Sequence, residues 1–313
     1  MNFQMIFQEI IMEDDKDNLD NIFYPIRQQT KAKVYNEFNI KSYSTSQIIN
    51  LDQNGIYRNI TMMLFQPKLQ TLQIIGCKLE SLDGIEQLPK LQIINASNNK
   101  FKTIQQLSSL RYVQTLNLKG NQLISLDGIE ELTLLQKINL SCNKLTSIKQ
   151  LSKLTLCEQL DLSYNKVTSV EPIANFSNLK QLNLVDNLVS SLFGLKNLVK
   201  LEALNILGNE VSDLRQLLFL KHLPNLKQMF IIGTEYLTSF VEDNHNECVF
   251  SPLYPYYAIK ILPNIKSFEY NVNNENQRNL VFYPEQIRTE ALARKFQIET
   301  ELNEELEVEL RKQ

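Results

Sequence analysis

Aliphatic residues recur along this chain in one fixed register. Blocks that begin at Leu69, Leu91, Val113, Leu135, Cys157, Leu179 and Leu201 follow one another at intervals of 22 residues without a gap. Each follows LxxLxLxxNxLxxLxxLxxLxx, most clearly in Val113, Leu116, Leu118, Asn121, Leu123, Leu126, Ile129 and Leu132. The seventh block runs 25 residues, to Leu226, which opens a shorter eighth. Upstream, Ile49, Leu51, Asn54 and Ile56 fit as a degenerate copy. Of 49 leucines, 38 lie between Leu69 and Leu226, so the apolar content belongs to the repeat rather than to a scattered core. Each LxxLxL stretch alternates apolar and polar side chains, which predicts a half-buried strand.

This pattern resembles the leucine-rich repeat family in its 22-residue subclass, over about residues 46–270. The resemblance implies an α/β fold: a solenoid, or horseshoe, with parallel strands on a concave wall. Short helical or 3₁₀ elements would return along the convex side, and a continuous leucine core would lie between. Tyr257, Ile261, Leu262, Pro263, Ile265 and Phe268 resemble the C-terminal cap of such proteins. Residues 1–45 are then a capping or partly ordered segment with an acidic cluster. Residues 271–313 are an Asn-rich linker (271–279) and, from Pro284, a C-terminal helix.

The ninth position of each block carries Asn99, Asn121, Asn143, Asn165, Asn187 and Asn209. An amide just past the strand can bond backbone groups of its own and the next repeat, so these residues are expected to form a structural ladder. It stops at Cys77 and Thr234, which places the solenoid ends near them. All eight glycines fall in repeat slots or beside the degenerate Asn54, which leaves none for a phosphate-binding loop.

On the concave face the fifth column reads Gln73, Asn95, Asn117, Asn139, Asp161, Asn183, Asn205 and Phe230. The seventh reads Ile75, Ser97, Lys119, Ser141, Ser163, Val185, Leu207 and Ile232. The first half of the face is therefore amide-rich and neutral. Toward the C-terminal end, Val185, Ala203, Leu207, Phe230 and Ile232 are expected to form an exposed apolar patch that contacts a partner, or that the 236–256 insert or the final helix covers. Glu158, Asp161 and Tyr164 are further candidate partner contacts, with solvated strand residues as the plainer reading. Leu207→Asp with Phe230→Asp is expected to abolish partner capture without unfolding.

Charge and composition narrow the function. With 32 basic and 35 acidic residues the net charge is -3, which offers no electrostatic footprint for nucleic acid or an anionic membrane. No apolar run reaches the roughly 18 residues of a membrane span, and the start does not read as a signal peptide. The two histidines, His222 and His245, and four cysteines without CxxC spacing give no metal-site pattern, and no cofactor is expected. The cysteines are expected to be reduced and mostly buried.

The expected function is a non-catalytic protein-binding scaffold, monomeric by itself and cytoplasmic. The stretch from Leu201 to Met229, the cap and the charged final segment resemble ciliary, axonemal members of the family, those associated with radial spokes and, less closely, with the nexin–dynein regulatory complex. Regulatory subunits of protein phosphatase-1, which have repeats of the same length, supply an alternative. A lineage-expanded repeat protein of unassigned role is another.

Overall fold

The computed structural model describes residues 68–231, the backbone of 48–51, 267–270 and 280–282, and the cap residues 258, 261, 262, 264 and 265. These residues divide into two compact units. The first takes the residues up to Lys144 together with Gln159–Asp161; the second takes Leu145–Glu158 and the residues from Leu162 onward.

In the first unit, six strands pair in parallel in chain order: β1 (Ile48–Leu51), β2 (Thr71–Ile74), β3 (Ile93–Asn95), β4 (Thr115–Asn117), β5 (Lys137–Asn139) and β6 (Gln159–Asp161). The register steps by one repeat each time, as in Leu72↔Ile94 and Ile94↔Leu116. In the second unit, β7 (Gln181–Asn183), β8 (Ala203–Asn205), β9 (Gln228–Phe230) and β10 (Ser267–Tyr270) also pair in parallel. The pairing ends with the antiparallel β11 (Leu280–Phe282).

Strands are three or four residues long because only positions 3 to 6 of each repeat alternate, and the chain must then turn back. It returns through short 3₁₀ turns. Three-residue turns at Ile85–Gln87 and Ile129–Glu131 alternate with five-residue turns at Gln105–Ser109 and Lys149–Lys153. The alternation follows a doubled repeat in the sequence, SLDGIE at 81–86 and 125–130. In both copies the glycine N–H donates to the following glutamate, Gly84 to Glu86 Oε2 at 2.9 Å and Gly128 to Glu130 Oε2 at 2.8 Å. Gly128 holds φ at 100°, and a Cβ there would lie 2.9 Å from the backbone of Gln105 in the preceding repeat. Only glycine lets the turns stack this closely.

The core is the leucine pattern itself. Leu72, Ile94, Leu116, Ile138 and Leu160 are buried on the core side of the first unit's strands, as are Leu182, Leu204 and Met229 in the second. Phe101 and Phe176 fill leucine columns on the return side and are fully buried.

The cap residues Ala258, Ile261, Leu262 and Ile265 are buried, and Leu262 N–H donates to Ala258 O at 2.8 Å, one helical turn. Phe268 pairs with Met229 where β10 joins β9. Beyond residue 270 the pairing is carried on by the antiparallel Leu280–Phe282. Three residues behind an Asn-rich stretch are too short a run to carry a period. Residues 1–45, the insert with His245 and Cys248, Ile232, Thr234, Tyr257, Pro263 and the C-terminal helix of 284–313 lie outside the described residues.

Candidate functional site

The strand face and its exit are built by two sets of asparagines. The ninth-position set is buried and bonds to the repeat before it. Asn187 Nδ2 donates to Leu162 O and to Leu184 O, both at 3.0 Å, while its Oδ1 accepts from Val167 N–H at 2.9 Å. Asn99, Asn121, Asn143 and Asn209 repeat this arrangement, and Asn165 accepts from Leu145 N–H at 3.0 Å. The ladder runs toward the preceding repeat, not the next as expected from the sequence. The side chain leaves the strand end on the side where residue 11 of the previous repeat still has an unpaired N–H.

The fifth-position amides have a local task that sequence reasoning missed. Asn95, Asn117, Asn139, Asn183 and Asn205 each accept, through Oδ1, the N–H of the residue two positions on, at 3.0 to 3.3 Å. An Asx turn of this kind ends the strand. The signal was present in the recurrent Asn-x-x of positions 5 to 7.

Between these two sets, position 8 is left-handed in every described repeat. Gly76, Gly120 and Gly208 hold φ of 67°, 68° and 61°; Asn98, Cys142, Tyr164 and Asp186 hold 58°, 56°, 56° and 51°. Glycine, asparagine and aspartate tolerate this region, whereas tyrosine does so at a cost.

The predicted contact residues separate on this frame. Val185, Leu207 and Phe230 are 8%, 6% and 5% exposed, so they are buried and do not form an open contact patch, which leaves the alternative of a covered patch. Strand rows lie about 4.8 Å apart, so a side chain on this face is flanked by the rows beside it. Phe230, for instance, stands opposite Asn205, itself buried. Alternation gives the side of the strand but not whether a side chain on that side is buried. Aspartates at Leu207 and Phe230 are therefore expected to destabilise the fold, contrary to the sequence expectation, and cannot serve as surface probes. Ala203 is half-buried, in a third-position column with Gln181 and Gln228.

Asp161 is buried rather than solvated, and Tyr164 is 45% exposed. Glu158 pairs with Lys180 at 2.8 Å. That hydrogen bond, against some desolvation and with a further contribution from Glu202, holds the Lys180 ammonium above its usual pKa. Around it the second position alternates in charge, Glu158, Lys180, Glu202 and Lys227, joined through backbone N–H···O bonds of 2.8 to 2.9 Å. Cys77, Cys142 and Cys157 are not joined in disulfides; Cys77 and Cys157 are buried, Cys142 is exposed.

A family model for leucine-rich repeats in two copies matches residues 155–197. Internalin C2 of Listeria monocytogenes has a solved structure 26% identical to this chain, covering 60% of it and 80% of its own length, with a TM-score of 0.53. A leucine-rich repeat protein of Leptospira interrogans is 21% identical over 74% of this chain and 68% of its own, also with a TM-score of 0.53. The fold is a leucine-rich repeat solenoid. Another internalin of Listeria monocytogenes, internalin F, has the same fold at 18% identity and a TM-score of 0.50, over 67% of this chain and 70% of its own. No curated protein sequence matches the chain. Leucine-rich repeat proteins generally act as protein-interaction scaffolds, through the extended surface that stacked repeats create. Among the described residues of this solenoid, no helix is long and apolar enough to cross a membrane.

One charged group on the solenoid is at odds with its surroundings. Burial raises the pKa of Asp186 above the ordinary carboxylate value. The folded chain thus retains this proton at pH values where the unfolded chain has lost it, and stability falls as pH rises through that window. Asp186→Asn is expected to raise the melting temperature at pH 7. The gain should vanish near about pH 3, below the unfolded value, where both chains carry an uncharged group. Thermal unfolding of the two proteins at both pH values reads the difference.

Proposed function

We propose that this solenoid is a non-catalytic scaffold that binds a protein partner on its strand face. The reading is supported by one observation above the rest: in the second unit, Gln181, Ala203 and Gln228 form a partly exposed column of uncharged side chains on the same strand face as the buried Val185, Leu207 and Phe230. Such a rigid, uncharged platform bordered by charged residues has the composition of an interface core with a polar rim. Glu158 and Tyr164 lie at its border, and Asp161 is buried and so is not offered to a partner. The proposal places the protein in the cytoplasm and gives it no cofactor.

An axonemal setting is favoured by the resemblance of residues 201–229, of the cap and of the charged final segment to ciliary members of the family. The phosphatase-regulator alternative relies on acidic contacts, and it is weakened by the burial of Asp161 and the pairing of Glu158 with Lys180. The test is quantitative capture of the tagged full chain from its own cells, with the detergent-insoluble fraction analysed separately. Gln181→Arg with Ala203→Arg is expected to reduce recovery of the wild-type partners about tenfold or more, a loss of about 1.4 kcal/mol. The melting temperature should stay unchanged. Unaltered recovery contradicts the strand-face reading. Axonemal proteins in the insoluble fraction support the ciliary setting, whereas a soluble phosphatase catalytic subunit supports the alternative.

A further inference from the structure

The left-handed slot at position 8 carries residues suited to it in all but two described repeats. Where other repeats have Gly76, Asn98, Gly120, Asp186 and Gly208, the second unit places Tyr164, with φ of 56° and nearly half its surface exposed. A bulky residue in this region is strained, and strain of this kind concentrates where a side chain is held for use. In the next repeat the same slot holds Asp186. Tyr164 N–H donates to Val185 O at 2.7 Å and Asn165 N–H to Asp186 O at 3.2 Å, so the two slots stand side by side in neighbouring rows.

The Asp186 carboxylate is half-buried over Gly208, where an added Cβ would run into its Oδ1, so the glycine leaves it room. Among the described residues no hydrogen bond or ion pair takes up this carboxylate. Burial accordingly raises its pKa with no opposing charge. An exposed aromatic ring beside a desolvated, unanswered carboxylate is complementary to one kind of group: a planar cation. A guanidinium stacks on an aromatic face and pairs with a carboxylate through parallel N–H bonds, and its weak hydration suits a partly buried site.

We propose that Tyr164 and Asp186 form a recognition site for an arginine side chain of a protein partner, with the guanidinium stacked on the tyrosine ring and bonded to the carboxylate. This deepens the scaffold reading and rests on it. The site lies at the exit of the strands, beside the platform, where it would fix the register of a bound protein. It also predicts a trade of stability for binding at Asp186: Asp186→Asn removes a desolvated charge, so this variant should melt at higher temperature and bind less well, and its loss of binding cannot be ascribed to unfolding.

The test is a titration of the full chain, labelled with ¹³C on its tyrosine rings, with N-acetyl-arginine amide, followed by NMR. The Tyr164 resonance is assigned by its absence in Tyr164→Gly. A saturable shift of that resonance is expected in the wild type, with affinity falling about tenfold or more in Asp186→Asn. N-acetyl-citrulline amide, the uncharged isostere, should produce no such shift. An equal response to citrulline, or an unchanged titration in Asp186→Asn, overturns the arginine site. Failure here with partner capture still lost in Gln181→Arg/Ala203→Arg overturns this site alone. A saturating arginine titration with capture unaffected by those two substitutions upholds the site and contradicts the strand-face scaffold instead.

Discussion

Phe176→Ala is expected to destabilise the second unit by about 3–5 kcal/mol, the range for truncating a fully buried phenylalanine. Phe176 occupies a column that holds Leu154 and Leu198 in the flanking repeats, all three inaccessible to solvent. Its backbone lies within the return turn, accepting from Leu179 N–H at 2.9 Å and donating to Ile173 O at 3.0 Å, so the turn is poorly placed to collapse into the space left behind. Phe176→Leu restores the residue of the neighbouring repeats and should cost only about 1 kcal/mol, as a smaller loss of volume does. Denaturant unfolding of the three proteins separates the outcomes. Equal destabilisation by alanine and leucine would show that the column does not set the packing at this site.

The second large effect belongs to the asparagine ladder. Asn187→Ala should destabilise by about 3 kcal/mol, because it leaves Val167 N–H, Leu162 O and Leu184 O with weakened or no pairing, and each orphaned buried group costs about 1–3 kcal/mol. Asn183→Ala, a change of the same chemistry four residues earlier, removes one bond to Val185 N–H at a half-buried position and should cost about 1 kcal/mol. The contrast matters because the two residues look alike in the sequence. Amide hydrogen exchange supplies a second readout: Val167 N–H should lose protection in Asn187→Ala and keep it in Asn183→Ala. If both variants unfold at the same denaturant concentration as wild type, the ladder is not a source of cohesion between repeats.

The 22-residue register was legible because every apolar column repeats, and it carries the strand positions, the core and the identity of the ladder residues. The buried cap residues Ile261, Leu262 and Ile265 were legible for the same reason. What the pattern did not carry was direction and burial on the outer side of the strands. An asparagine after a strand can reach either neighbour, and only the three-dimensional stack shows that Asn187 turns back to Val167 and Leu162. Likewise, alternation put Val185, Leu207 and Phe230 on the outer side of their strands, yet a side chain there can still be buried by its neighbours. The left-handed slot was visible only where glycine filled it. Tyr164 and Asp186 carry no sequence mark of positive φ, and their shared geometry appears once the repeats are superimposed through backbone pairing.

The central claim is that the strand face of the second unit meets a protein. Its most direct test is photo-crosslinking in the protein's own cells with benzoylphenylalanine placed singly at Gln181, at Gln228 and at Ile124, a residue 63% exposed and far from the strand positions of its repeat. The account predicts a discrete protein adduct from positions 181 and 228 and none from 124. Adducts from 124 alone, or none from either strand-face position, would contradict it.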